Sequence, residues 1–319
     1  MSDPFDAPTE VQRDRWGRPL VHPPEGSGKP EGYTRCTTFV DALEDTYNLT
    51  QWEKRMVAIG LSERADLLLA VAAHRDDKKK LNEVANAAKE AAKASSAATT
   101  GTALHALTER VDRGEPLPAL PETAQRDIDA YRRATVDLNS VAIEQFCVYD
   151  PFRIGGTPDR VVEYRGQLYI ADVKTGSIDF GAMKIAMQLG VYSRSTPYDF
   201  RTHTRGQWPR DIDQDRGIVI HLPAGTGRCE LRWIDISKGW DAVLVAKAVR
   251  DWRGEKDWYE PFEQAAIEAA ATDWAAMVAE ATAVEQLRDI WAAADLAGAY
   301  TDELDALCKA RKQELESAA

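Results

Sequence analysis

Gly155-Gly156-Thr157-Pro158-Asp159-Arg160-Val161-Val162-Glu163-Tyr164, then Arg165-Gly166, then Gln167-Leu168-Tyr169-Ile170-Ala171-Asp172-Val173-Lys174-Thr175-Gly176, is the stretch that decides the fold. Val161–Tyr164 and Gln167–Ile170 are β-branched, aromatic and alternating, which predicts two strands. A two-residue loop at Arg165-Gly166 makes them a hairpin in which Tyr164 faces Gln167. The same register sets Asp159 opposite Asp172. A longer loop or a bulge would shift it by one residue. Opposed residues on one face have Cβ atoms about 4.5–5.5 Å apart. Two carboxylates roughly 5 Å apart repel by about 3 kcal/mol at an effective dielectric near 20. A fold keeps such a pair if one acid is protonated or a cation lies between them. Lys174, two residues past Asp172, projects to the same face. Two oxygen ligands for a hard divalent metal, with an ammonium beside them, point to metal-assisted phosphodiester hydrolysis.

Outward from the hairpin, helices and strands alternate. Residues 1–32 hold six prolines and four glycines with little apolar periodicity, and read as a mostly disordered arm. Thr37-Thr38 suits the start of a helix running through Asp45. Trp52–Leu61, Ala65–His74 and the Ala/Lys-rich stretch Asp76–Thr99, with its basic run Lys78-Lys79-Lys80, are helical by composition. Gly101-Thr102-Ala103-Leu104-His105 opens another helix. Leu104, Leu107 and Val111 form its apolar stripe, and His105 lies at the edge near Glu109. Pro116, Pro118 and Pro121 interrupt the chain before a helix over Thr123–Leu138. Val141–Tyr149 reads as one strand and carries Glu144. Asp179–Ser193 is a helix, Arg201–Arg216 a polar loop, and Gly217–Leu222 and Glu230–Ile236 are strands. The Ala-rich remainder is helical, with Gly298 separating Ala279–Leu296 from Thr301–Glu316. The order implies an α/β fold, a small mixed β-sheet flanked by helices. The expected divisions are the arm at 1–32, a main domain at 33–255 and an acidic helical tail at 256–319.

Net charge is −12 over 319 residues, unpromising at first for a DNA-binding protein. The negative charge is concentrated in the tail. From Glu255 onward there are 15 acidic and 5 basic residues, whereas Pro151–Arg216 carries 10 basic and 8 acidic ones. The hairpin region is therefore mildly cationic. No apolar run approaches the roughly eighteen residues of a membrane span. Met1-Ser2-Asp3-Pro4 does not resemble a secretory signal, which favours a cytoplasmic location. Cys36, Cys147, Cys229 and Cys308 are scattered with no C-x-x-C pair, which speaks against a zinc or iron–sulfur site and suits reduced thiols.

Four elements, in order, resemble the PD-(D/E)XK nuclease superfamily and its RecB-like exonuclease branch, especially exonucleases encoded by phages of actinobacteria. Pro158-Asp159 matches the aspartate at a strand start, and Asp172-Val173-Lys174 matches (D/E)-x-K on the next strand. Gly101–His105 matches the branch's upstream helical histidine. Gln188 to Tyr192 matches its Q-x-x-x-Y. The resemblance implies a Mg²⁺ or Mn²⁺ site held by His105, Asp159, Asp172 and the backbone carbonyl of Val173, with Lys174 holding the attacking water and stabilising the phosphate. It places Gln188 and Tyr192, which share one helix face with Lys184, beside the DNA strand and the lysine. The other reading of that helix is an ordinary amphipathic one with a half-buried tyrosine. Glu144 matches a family acidic position loosely, and Arg153 and Arg160 are candidate phosphate contacts. The four-cysteine iron–sulfur clamp of some relatives has no counterpart here.

The implied function is a metal-dependent DNA exonuclease serving phage recombination or DNA processing in the host cytoplasm. A single-strand annealing recombinase is the expected partner, and homo-oligomers are possible. Gly26-Ser27-Gly28-Lys29-Pro30 fails the phosphate-loop pattern, so no helicase motor is expected. The competing readings are a structure- or sequence-specific endonuclease on the same fold and a non-catalytic recombination adaptor.

Overall fold

The computed structural model describes residues 11–25, 28–94, 96–179, 181–260 and 271–318. The first ten residues of the expected arm, and 261–270 of the expected tail, lie outside the described residues. The chain falls into two compact units, Met1–Asp251 and Trp252–Ala319.

The first unit begins with a two-stranded ribbon, β1 (Leu20–Val21) against β2 (Glu31–Gly32). This corrects the disordered arm over its described residues. Val21 and Tyr33 are fully buried, packing with Phe146, Val148 and Tyr198, and that apolar contact outweighs the local Pro/Gly bias. Next come β3 (Thr34–Arg35), α1 (Cys36–Val40), α2 (Tyr47–Glu63), α3 (Ala65–Ala73), α4 (Lys78–Ala91), α5 (Ser96–Asp112) and α6 (Glu122–Ala134). The break between α4 and α5 falls earlier than composition suggested. Lys93 adopts a left-handed φ of 56° there, so Gly101 lies inside α5 and does not open it.

Five strands form the sheet that carries the hairpin: β4 (Asn139–Ile143), β7 (Arg160–Tyr164), β8 (Gln167–Lys174), β11 (Arg216–His221) and β12 (Glu230–Asp235). Their spatial order is β12-β11-β8-β7-β4. β8 and β11 run parallel while the other neighbours are antiparallel, so the sheet is mixed. A second sheet, in the order β10-β9-β5-β6-β3, contains β5 (Cys147–Tyr149), β6 (Ile154–Gly156), β9 (Thr196–Asp199) and β10 (Thr204–Arg205). The strand expected over Val141–Tyr149 is thus divided between two sheets. Glu144, with a φ of 52°, marks the corner. α7 (Ala182–Tyr192) and α8 (Ile236–Gly254) complete the unit. The α/β architecture expected of the sequence is the one observed.

Alternation along the strands sends Val161, Leu168 and Ile170 to a core shared with α7. Val162, Ala171, Val173, Ile218 and Ile220 go to the opposite face, against Tyr131 of α6. β8 is buried on both faces over Ile170–Val173, as suits a central strand. In the second unit, helices Trp274–Glu280, Val284–Leu296 and Asp302–Ala318 pack around Val278, Leu287, Ile290, Ala294 and Leu304. The helix expected from Ala279 breaks at Ala281–Ala283, where the backbone turns extended.

Candidate active site

The hairpin has the two-residue loop. Arg165 and Gly166 both have positive φ, 51° and 83°, as a type I′ turn requires. The pairs run from Tyr164↔Gln167 to Arg160↔Ala171. One step further brings Asp159 to the level of Asp172, and a second step sets Pro158 beside Val173. Proline has no N–H, so it cannot pair the Val173 carbonyl. The Val173 N–H donates instead to Asp159 Oδ2 at 2.8 Å. The aspartate thus takes the place of a ladder partner, and proline leaves a backbone oxygen beside it.

Asp172 shares the parity of Leu168 and Ile170 and is 3% exposed. Lys174 Nζ lies 2.5 Å from Asp172 Oδ2. The approach is off the hydrogen-bonding direction, and this oxygen has no aligned partner. The contact is an ion pair that leaves a buried oxygen incompletely satisfied. Burial raises the Asp172 carboxyl to about 7. The Asp159 charge pushes the same way, and Lys174 opposes both. His105, on α5, places Nδ1 3.5 Å from Asp159 Oδ2. It gets there because Gly101, one turn earlier, lies against the strand end: a Cβ there would sit 2.6 Å from Thr175 Oγ1. An open groove of about 900 Å³ runs past His105, Gly101, Thr175 and Gly225.

A hairpin that sets Pro-Asp against Asp-x-Lys, one carboxylate buried and one on a backbone amide, agrees with a comparison to known families. Residues 119–196 match the family model of the PD-(D/E)XK nuclease superfamily. Over that stretch the chain is similar to the PD-(D/E)XK nuclease superfamily. The match takes in Asp159, Asp172, Lys174, Gln188 and Tyr192, while His105 lies outside it. No curated protein matches the chain.

Elsewhere the site differs from the sequence reading. Arg160 is no phosphate contact. Its side chain is fully buried, with Nε 2.5 Å from Asp112 Oδ2, Nη1 donating to the Asp159 carbonyl at 2.8 Å and Nη2 to Thr108 Oγ1 at 3.3 Å. Tyr131 donates to the same Asp112 oxygen at 2.7 Å. The arginine therefore ties α5 to the backbone of Asp159. Arg153 is exposed and ion-paired with Glu31. Lys184 is held by Asp41 and Glu44, at 2.7 and 2.9 Å.

Tyr192 is 3% exposed, so it is buried and not the half-buried tyrosine of an ordinary amphipathic helix. Burial, and then the nearby Cys36 and Cys147, hold its phenol well above the ordinary range. Its hydroxyl lies 2.7 Å from the position of a Cβ on Gly156, and the Cys36 Cβ lies 3.1 Å from it. Gly156 leads directly into Thr157-Pro158-Asp159, so Tyr192 braces the segment that delivers the aspartate. Gln188, one turn earlier and half-buried, opposes that upward shift of the Tyr192 phenol. Gly156→Ala is expected to displace Tyr192 and destabilise the fold by about 1–3 kcal/mol through overpacking. Urea unfolding checks this, and a change under about 0.5 kcal/mol would refute the brace.

Glu144 was a loose match, yet it lies close to the site. Its N–H donates to the Asp159 carbonyl at 3.1 Å. Burial raises its carboxyl to about 7, with Asp159 and then Glu109 adding to the effect. Sequence reading gave no role to Glu109, Asp112 or Cys36. Glu109 alone had a local signal, one turn after His105 on the same helix.

Whether a metal suits these donors turns on Asp172 Oδ2, buried and met only by the misaligned Lys174 ammonium. A buried carboxylate oxygen with no aligned donor, a second carboxylate and a backbone carbonyl to which Pro158 can offer no N–H form an all-oxygen set suited to a hard divalent cation. Among the described residues, no three His, Cys, Asp or Glu side chains already stand close enough to hold a metal. The donors fit such an ion without yet being closed around it. Among the described residues no helix is long and apolar enough to cross a membrane.

Proposed function

We propose that the chain is a divalent-metal-dependent DNA exonuclease of the RecB-like branch, hydrolysing phosphodiester bonds in phage recombination or DNA processing. The supporting observation is the buried, incompletely satisfied oxygen of Asp172 ion-paired with Lys174, with Asp159 across the hairpin. Asp159, Asp172 and the Val173 carbonyl would hold Mg²⁺ or Mn²⁺, with His105 completing the set from α5. When bound, such an ion supplies an activated water and offsets phosphate charge. Lys174, 31% exposed at its side chain, presents its ammonium from the strand end to water and to a phosphate oxygen. Val173 N–H and Arg160 hold Asp159 from two sides, so its carboxylate needs no reorganisation. Attack by water leaves a 5′-phosphate and a 3′-hydroxyl. A single-strand annealing protein as partner, and homo-oligomers, complete this reading.

Digestion of end-labelled linear duplex with Mg²⁺ or Mn²⁺ tests the proposal. The expected result is progressive release of nucleotides from linear DNA, with covalently closed circles left intact. Closed circles cut as fast as linear duplex would make the protein an endonuclease on this fold. No hydrolysis under either metal would favour the adaptor.

A further inference from the structure

A second cluster lies away from the catalytic residues, at the hairpin end of the same sheet. Directly opposed residues share a face. The pairs Val162↔Tyr169, Arg160↔Ala171, Ile218↔Ala171 and Ile218↔Trp233 therefore put Tyr164, Tyr169 and Trp233 on one side. α6 packs on this face through Tyr131 and ends at Ala134, which borders the cavity beside Tyr164 and Trp233 without burying Trp233. Trp233 lies on the edge strand β12 and is 48% exposed, a large aromatic ring open to solvent. Its ring centroid is 4.9 Å from that of Tyr169 and 6.2 Å from that of Tyr164. Arg216 lies over Trp233 at 5.4 Å and Arg165 over Tyr164 at 5.0 Å. Among the described residues neither arginine forms an ion pair, while the neighbouring acids Glu163, Glu230 and Asp235 are engaged by Arg210, Arg232 and Lys238. Beside Trp233 is a cavity of about 140 Å³, bordered by Leu138, Ile218 and Asp137. Cavities of about 150 Å³ admit one aromatic ring.

We propose that this aromatic and arginine platform binds unpaired DNA, stacking a base on Trp233 and meeting the backbone with Arg165 and Arg216. Aromatic faces accept any base, and unpaired guanidinium groups supply the matching charge. Trp233 is level with Ala171, three residues or about 10 Å along the strand direction from Lys174 at about 3.3 Å per residue, and lies on the sheet face opposite Asp172 and Lys174. The platform is thus a separate holding site for the single strand that an exonuclease on duplex leaves behind. This role rests on the nuclease reading, although the binding itself does not require it.

The probe is a fluorescein-labelled oligo(dT) of about twenty nucleotides, followed by anisotropy in EDTA with full-length protein. Trp233→Ala is expected to weaken binding about tenfold or more, and Arg216→Ala severalfold. Trp233→Phe should retain most of the affinity. Digestion of a short blunt duplex should change little in Trp233→Ala. Affinity within twofold of wild type for both Trp233→Ala and Tyr169→Ala, with unchanged thermal melts, overturns the proposal. So does a change in sedimentation of the DNA-free Trp233→Ala protein with unaltered DNA affinity, which would make the patch a contact between copies. The binding assay contains no divalent cation, so failure of the nuclease reading would appear in the digestion assay and not here.

Discussion

Asp172→Asn is expected to cut DNA hydrolysis on the order of a thousandfold or more, while making the metal-free protein more stable at pH 8. Burial raises the folded-state carboxyl to about 7, against about 3.9 in the unfolded chain. Between those values the folded state keeps a proton that the unfolded state has lost. Stability contributed by this group is therefore full at low pH and falls as pH rises through that window, being lowest above about 7. Asparagine removes the ionisable group, so the melting temperature of the metal-free variant at pH 8 should exceed that of wild type by several degrees. A divalent cation should reverse the order. Saturating the wild type at about 100 times Kd adds about 2.7 kcal/mol, and the variant, with a neutral amide on the buried side, should gain little. Melts at pH 5 and pH 8, with and without Mg²⁺ or Mn²⁺, read all of this independently of activity. Equal cation-induced shifts in the two proteins would remove Asp172 from the metal site, and undiminished hydrolysis would remove it from catalysis.

Arg160→Met is expected to cost about 3–5 kcal/mol, because it leaves Asp112 largely buried without its cation. The lost group also held the Asp159 carbonyl and Thr108, so activity should fall along with stability. Lysine is not expected to rescue it, since an ammonium cannot span three acceptors in the planar guanidinium arrangement. Adding Asp112→Leu to Arg160→Met should recover at least about 1 kcal/mol, because an unpaired buried charge costs more than an apolar replacement. Urea titrations of the four proteins form the cycle. A single variant within about 1 kcal/mol of wild type would show that the pair is not structural.

The motif geometry was legible in sequence because it is local. Loop length and the period of two set the hairpin register, and with it the relation of Asp159, Asp172 and Lys174. The same periodicity gave the two faces of the central strand and the α/β layering. The misreadings share one cause, which is that chemistry-bearing side chains look alike until their neighbours are known. Arg160 next to a candidate metal-binding aspartate reads as a phosphate ligand, yet it turns inward because Asp112 on α5 meets it there. Tyr192 has the spacing of a helix surface and is buried because Gly156, thirty-odd residues earlier, leaves room for its ring. The early Pro/Gly-rich segment carries no periodic signal, and Val21 and Tyr33 are ordered by a core made of residues more than a hundred positions away.

By itself, then, the sequence determined which acids and which amine stand together only on the condition that the two strands are joined by a two-residue turn, the condition that the hairpin meets. The tertiary structure decided which acid is deprived of water, which histidine approaches it and which arginine and tyrosine brace it. Those depend on burial and on contacts between distant segments, and such contacts have no local period by which they could be read.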